Sequence, residues 1–580
     1  MPPGYHGTLL RIDVTDGSSR TVDIPERTLR EYLGGSGLGV RLLLDEGAAA
    51  AEPLAPEAPL VFAFSPLVGS PLTTSAKFAV VSKSPLTGRI NDSLASSGFA
   101  VAGKRTGCDA LMIVGRAAEL SVLVIDGGKV HLEAATGLAG KTCQDTEDAL
   151  RARLGADYRI ASIGPAGEHA VRYATISHDG RHAGRGGSGA VLGSKNIKAI
   201  AVRGSQRTDY ADPKGVTALS KDLSKRSMGP ATAKYRELGT ATNLLVFNRF
   251  GALPTRNFQS GTFAEAESIS PQALSESRGK TRSSCVTCTI GCEHIYGFGG
   301  KDGKASVRME YESLFALGSL CGIGNPEDVL RAAKRCDELG LDTISTGGTI
   351  AFAMECVEHG WLDAPWLRFG DGEAMLRAID LIGDRGSGIG DLLAEGSRRA
   401  AAVIGHNSIA FAPQVKGLEI PGYEPRALQT MALGFAVGAR GADHNRSGAY
   451  EVDFSDQVDR RHVTLDAVRL AIETEDKAAL MDSLILCKFL RGVFEDFHAE
   501  TAEMLHRVTG WDVTADELRD TARRIVAAKR QFNLLAGWTP EEDTLPERFL
   551  STPLPNDPEA SLSRERLDAL VVEYHRQREW

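Results

Sequence analysis

Ala199-Ile-Ala-Val-Arg203-Gly-Ser-Gln-Arg-Thr-Asp209 is where the texture of this 580-residue chain changes. Its first half is a short apolar run and its second half is polar and breaks it. Upstream lie further β-type runs, Gly7-Thr-Leu-Leu-Arg-Ile-Asp-Val14, Leu60-Val-Phe-Ala-Phe64, Lys77-Phe-Ala-Val-Val-Ser82 and Ala110-Leu-Met-Ile-Val114, separated by Gly, Pro and Asn. Runs this short between turn-forming residues read as strands. Downstream, apolar residues recur every three or four positions over 326–340, 464–485 and 516–535, the period of amphipathic helices. The reading is an α+β chain: a β-rich N-terminal base domain over 1–208, then two mainly α-helical domains over 209–410 and 411–580. The second boundary is set at the Gly/Pro-rich stretch 411–425. The Pro-rich segment 545–558 reads as surface-wrapped coil, and no solenoid-type repeat is present.

Composition narrows the function. The chain is 42% hydrophobic with a net charge of −9, enough to bury several cores. No Lys/Arg-rich segment stands ready to neutralise a run of phosphates, so nucleic acid is not an expected partner. The sequence has no stretch of about 18 apolar residues and no charged leader ahead of an apolar segment, so no membrane association and a cytoplasmic location are expected. Nine cysteines, three of them within eight positions, suit metal binding in a reducing compartment better than a disulfide framework.

Those three stand in Ser284-Cys285-Val-Thr-Cys288-Thr-Ile-Gly-Cys292. One irregular loop can present all of them to a single soft metal centre, and a fourth ligand must come from elsewhere. An iron–sulfur cluster and a zinc knuckle both fit three close thiolates. The cluster is favoured, because zinc sites pair two short Cys/His modules and only His294 lies near. Far apart are two similar hexads, Asp337-Glu-Leu-Gly-Leu-Asp342 and Asp482-Ser-Leu-Ile-Leu-Cys487. An Asp ending a helix can accept hydrogen bonds from the N–H groups of a flat heterocycle, so paired hexads suit two copies of one ligand. Such a string also simply ends a helix at a glycine. The second hexad closes on Cys487, a candidate fourth thiolate.

Upstream, Ala183-Gly-Arg185-Gly-Gly-Ser-Gly-Ala-Val-Leu-Gly-Ser-Lys195-Asn-Ile-Lys198 combines small residues with cations, as an anion-binding loop would, without the Walker A order. Gly34-Gly-Ser-Gly37-Leu-Gly39 follows a helical pattern rather than a strand and is read as structural.

Taken together with Lys83-Ser-Pro-Leu-Thr-Gly88 and Gly441-Ala-Asp-His444, these strings make the chain resemble the aldehyde:ferredoxin oxidoreductase family of tungsten enzymes along nearly its whole length. The resemblance implies a tungsten (or molybdenum) bis-pterin cofactor on the β-rich base, with the metal bound by pterin dithiolenes. It implies a [4Fe–4S] cluster on Cys285, Cys288, Cys292 and Cys487. The implied cofactor contacts are Lys77, Arg185, Gly186, Gly187, Asp337, Gly340, Leu341, Asp342, Asp482 and Leu486. The implied catalytic residues are His444 and the acid of Glu310-Tyr-Glu312, where spacing from Asp337 favours Glu312.

The implied activity is oxidation of a small-molecule aldehyde to a carboxylic acid. Electrons leave through the cluster to ferredoxin or another iron–sulfur protein, in a homodimer or a subunit of a redox complex. Two other readings share the scaffold: a low-potential reductase of aromatic acyl-thioesters, and an iron–sulfur electron-transfer subunit without pterin. The sequence departs from the family pattern at Ile485, where the second hexad lacks its glycine, and at Lys77, where an Arg is expected. Arg331 stands where some dimeric members have an acid that binds an interface metal, so that metal is not expected.

Overall fold

A computed structural model of the chain describes residues 1–299, 305–386 and 388–580. Twelve strands build the N-terminal region. β1 (Thr8–Asp13), β2 (Ser18–Asp23), β3 (Leu60–Ala63), β4 (Lys77–Lys83), β5 (Ile90–Ser96) and β6 (Ala110–Val114) form one sheet, in the order β2-β1-β6-β3-β4-β5. β7 (Ser121–Asp126), β8 (Lys129–Ala134), β9 (Arg159–Ser162), β10 (Ile176–His178), β11 (Arg181–Ala183) and β12 (Ile197–Arg203) form a second, in the order β11-β10-β9-β12-β7-β8. The pairs β1–β6 and β7–β12 are parallel and the remaining neighbours antiparallel. β3 and β6 are buried at every position. A strand covered on both faces has no polar side, which is why these two read as unbroken apolar runs.

Beyond Asp209 the chain is mostly helical. The helix Pro326–Leu339 shows why the boundaries are legible. Asn325 accepts a hydrogen bond from the amide of Glu327, Pro326 fills the first turn, and Gly340 closes the helix in the left-handed conformation. A small antiparallel sheet interrupts the helices: β13 (Lys280–Ser283), β14 (Glu293–Phe298) and β15 (Ala305–Met309). The three close cysteines lie in the β13–β14 connection.

Two large cores result. One joins the first sheet and helix Gly35–Asp45 to buried side chains from 479–532. The other gathers helices from 241 to 471 and the returning segment 545–574. The stretch 411–425 is almost wholly buried and lays a two-stranded ribbon into this second core. Segment 545–558 is not the surface coil that its prolines suggest. It carries a short helix, Glu547–Ser551, and buries Leu545, Phe549, Leu550 and Leu554, with Phe549 set edge-on against Phe258 at 5.1 Å. Four large apolar side chains outweigh what the prolines do to the backbone.

The two hexads have the same local structure. Each ends a helix on a left-handed residue, Gly340 (φ 75°) or Ile485 (φ 67°). In each, that residue and the next donate to one carbonyl: Gly340 and Leu341 to Cys336, Ile485 and Leu486 to Met481. Each docks on the base region. The first pairs with Thr175 and Tyr173, through Thr175 N–H to Gly340 O (2.8 Å) and Asp342 N–H to Tyr173 O (3.2 Å). The second meets Ser65, whose hydroxyl donates to Leu484 O (2.7 Å), and Gly37, whose N–H donates to Ser483 Oγ (3.0 Å). The glycine run 34–39 is therefore helix-packing surface beneath the second hexad.

Candidate active site

Between the base and the helices lies a cavity of about 930 Å³. Cys285, Cys292 and Cys487 open onto it, as do Lys77, Arg185, Asp337, Leu341, Asp342, Asp482, Glu312 and His444. Gly186, Gly187, Gly340 and Leu486 do not. The two glycines at 186 and 187 have φ of 85° and 82°, and a Cβ on either would strike Asn91 or the Arg172 carbonyl. Protein packing alone therefore accounts for them. Gly340 and Leu486 sit behind the cavity wall and shape the hexad turns.

The cysteine loop, 284–292, is fixed from the base. Thr74 N–H donates to Thr287 O (2.9 Å), while Thr74 Oγ1 accepts from the amide of Cys487 (3.3 Å). One residue thus ties the three-cysteine loop to the distant fourth cysteine. Thr73 adds a hydroxyl contact to Thr289 at 2.8 Å. Burial, followed by the charge of Cys487, pushes the Cys288 thiol up to about 11, and Cys292 is raised by the same causes. These two thiols hold their protons, and a metal centre would have to displace them. Among the described residues no three His, Cys, Asp or Glu side chains are poised around a single ion, whereas a cubane cluster needs each thiolate on its own iron. His294 is surrounded by Lys280, Arg282 and the Arg236 backbone.

The register of β14 and β15, which sets His294 against Met309, brings Glu310 next to the cysteine loop. Glu310 is one of the charges acting on Cys292. Glu312, in the first turn of helix Tyr311–Leu317, points the other way, toward His444. Glu312 Oε2 accepts from Gly422 N–H at 3.0 Å. Its Oε1 lies 3.5 Å from His444 Nδ1, and both atoms are buried without a hydrogen-bond partner. Asn445 Nδ2 approaches His444 Nε2 at 2.9 Å. With that amide nitrogen as donor, Nε2 is the acceptor and the ring proton resides on Nδ1, facing Glu312 and the cavity. Burial pushes the Glu312 carboxyl up to about 8 and the His444 imidazole down to about 3. At neutral pH both are uncharged.

The other hexad acids are held by cations. Asp342 caps helix Thr343–Glu358 and sits 3.4 Å from Arg185 Nε. Arg185 also donates to the carbonyls of Ala442 and Glu419, tying the base to the loop that carries His444. Asp482 is paired with Arg446 (2.8 Å) and Lys488 (3.0 Å). Burial pushes Asp337 up to about 6. Burial works against the Lys77 ammonium, but Cys487, Cys285 and Asp482 outweigh it and raise its pKa. Lys77 therefore stands on the cysteine side of the cavity.

Residue reading missed a buried ionic cluster around Asp92, on β5. Burial alone would raise Asp92, but Lys529, Arg446 and Arg440 hold it well below the usual carboxylate range. Arg440 spends one nitrogen on Asp92 O (2.6 Å), and its Nε and second terminal nitrogen are buried without partners. The only sequence signal was an Arg inside the glycine-rich string before His444.

An anionic, phosphate-bearing heterocycle fits this donor set. The cavity is within the size range of cofactor sites. Arg440 offers two unpaired donors, Lys77 and Lys488 add charge, and Asp337 presents a carboxylate to ring N–H groups. Arg331, by contrast, is engaged on its own helix with Asp328 at 3.6 Å and on helix Gly372–Gly383 with Glu373.

The model described as aldehyde ferredoxin oxidoreductase, N-terminal domain, matches residues 9–204, and that for domains 2 and 3 matches 218–580. A tungsten-containing aldehyde ferredoxin oxidoreductase of Pyrococcus furiosus is 36% identical over 595 residues, covering 100% of this chain and 96% of that protein. An aliphatic sulfonate oxidoreductase, WOR-like subunit, of the same organism is 30% identical over 98% of this chain and 94% of its own length. In fold the chain is similar to the active-site complex BamBC of benzoyl coenzyme A reductase, with a TM-score of 0.84, 23% identity, and coverage of 100% of this chain and 95% of that one. The chain is an oxidoreductase. It belongs to the aldehyde ferredoxin oxidoreductase family.

Among the described residues no helix is long and apolar enough to cross a membrane.

Proposed function

We propose that this enzyme oxidises an aldehyde to a carboxylic acid on a tungsten (or molybdenum) bis-pterin. Electrons pass through a [4Fe–4S] cluster on Cys285, Cys288, Cys292 and Cys487 to ferredoxin or a similar iron–sulfur protein. The observation that carries the reading is the Glu312–His444 pair: two unpartnered polar atoms 3.5 Å apart, in the cavity that also receives three of the four cysteines. The overall change is R–CHO + H2O → R–COOH + 2 e⁻ + 2 H⁺. When bound, the metal–pterin centre supplies the two-electron chemistry and the cluster passes electrons on singly.

The chain's own groups move the protons. His444 Nδ1–H donates to the aldehyde oxygen and polarises the carbonyl. Glu312 Oε1, once ionised, takes a proton from the incoming water, and its raised pKa makes the ionised form a stronger base than an ordinary carboxylate. Asp337, Asp342 and Asp482 orient the pterins, and Arg440 with Lys77 balances their negative charge.

Anaerobic purification and elemental analysis test the reading, together with aldehyde oxidation using a viologen acceptor. About one W or Mo and four Fe per chain are expected. Zinc with neither W nor Mo overturns it, as does a replete protein that oxidises no aldehyde.

A further inference from the structure

The catalytic pair lies at the inner end of a continuous aromatic wall. Tyr423 stacks on His444 at 4.9 Å and lies 5.2 Å from Phe247, which stacks on Phe454 at 5.1 Å with the rings 6° from parallel. Phe454 in turn lies 5.8 Å from Phe250. Exposure rises along this series. Tyr423 and Phe247 are 3% and 4% exposed, while Phe454 and Phe250 are 38% and 42%. Val246, beside them on helix Asn243–Arg249, is 41% exposed. Tyr423, Phe247, Phe454 and Val246 all line the cavity. Core packing explains the two inner rings. It does not explain three large apolar side chains left exposed together, Val246 and Phe454 on the cavity lining and Phe250 beside Phe454, which marks a surface for an apolar ligand.

The charges near this wall are already committed. Arg460 lies over the Phe250 ring at 5.3 Å, but its terminal nitrogens donate to Ala427 O and Phe250 O. Arg491 is bound to Glu451 and to the Tyr450 hydroxyl. Lys234 sits over Tyr235, on the cysteine side. An anionic substrate group passing Phe454 and Phe247 would lose its hydration without gaining a counter-ion. A flat ring would gain offset or edge contacts with successive walls.

We infer that the substrate is an uncharged aryl or arylalkyl aldehyde, whose ring rests on Phe247 and Phe454 while its carbonyl reaches Glu312 and His444. This rests on the proposed aldehyde oxidation and narrows it to a substrate class. Phe247 and Phe454 are then the residues that set specificity.

The test compares kcat/KM of the metal-replete enzyme for phenylacetaldehyde, propionaldehyde and glyoxylate. Phenylacetaldehyde should be preferred over propionaldehyde by about ten-fold or more, and over glyoxylate by more still. Phe454→Ala and Phe247→Ala should each shrink the phenylacetaldehyde-to-propionaldehyde ratio several-fold, chiefly through KM, and Phe454→Tyr should restore it. Because Phe454 is partly exposed, its truncation spares the core, which a thermal melt verifies. Equal use of aryl and aliphatic aldehydes, preference for glyoxylate, or ratios unmoved by both variants overturns the aromatic assignment and leaves aldehyde oxidation standing. A replete enzyme inactive on all three overturns the function itself.

Discussion

Gly35 and Ile485 occupy one another's space: a Cβ on Gly35 would come within 2.7 Å of Ile485 Cδ1, and would collide with the Asp482 carbonyl as well. Gly35 also has a φ of 42°, which disfavours any side chain. Gly35→Ala should therefore destabilise the protein by about 3 kcal/mol, measured by urea unfolding. Because the clash is with the second hexad, metal content should fall too. An unchanged unfolding midpoint would show that the hexad can shift freely.

Ile485 holds a left-handed conformation that a β-branched residue pays for by about 1–2 kcal/mol, yet its side chain is fully buried. Ile485→Gly relieves the backbone and empties the core, where a buried isoleucine is worth about 2–5 kcal/mol. The net expectation is a loss of about 2 kcal/mol. A gain in thermal midpoint would mean that backbone strain dominates.

Glu312 titrates at about 8 because it is buried. A base with a raised pKa is inactive while protonated, so kcat/KM should rise with pH and level off above about 8. Glu312→Gln should remove that limb and lower kcat/KM by about 10²–10⁴. His444, pushed down to about 3, should add no limb between pH 5 and 9. A profile falling through pH 8 would make Glu312 the acid.

Cys487→Ala should cost the [4Fe–4S] signal in electron paramagnetic resonance, and iron per chain should drop well below four, although the other ligands lie far back in the sequence. Thr74→Val removes the acceptor of the Cys487 amide and should speed iron loss to a chelator several-fold. A full cluster signal in Cys487→Ala would place the fourth ligand elsewhere.

Arg440 keeps two buried nitrogens for a ligand. Hydrogen bonds to charged groups are worth about 1.5–3 kcal/mol each, so Arg440→Gln should lower W or Mo retained through gel filtration by ten-fold or more. Full metal content with native circular dichroism would assign those nitrogens to something other than the cofactor.

Contiguous strings were the part of this molecule that could be read in advance. The run 110–114 became β6, and the helix pattern at 326–340 became Pro326–Leu339, because period and caps are local. The cysteine string and both hexads were visible for the same reason. Spacing from Asp337 favoured Glu312 over Glu310, but where each acid sits relative to the cysteine loop depends on the β14–β15 register, a tertiary fact. The aromatic wall joins residues 247, 423 and 454, which share no spacing. Arg440 looked like one arginine among many, because its unpaired nitrogens exist only once Asp92 and Asp443 have folded around it. Segment 545–558 misled because its prolines were weighed above Phe549 and Leu550.

The Thr74 bridge, with strands from the first 114 residues closing one core against side chains from 479–532, has a consequence for biosynthesis. While the ribosome is still making the middle of the chain, the three-cysteine loop has neither its fourth partner nor the far wall of its cavity. That cavity closes only after residues 479–532 have been made and have packed against the first sheet.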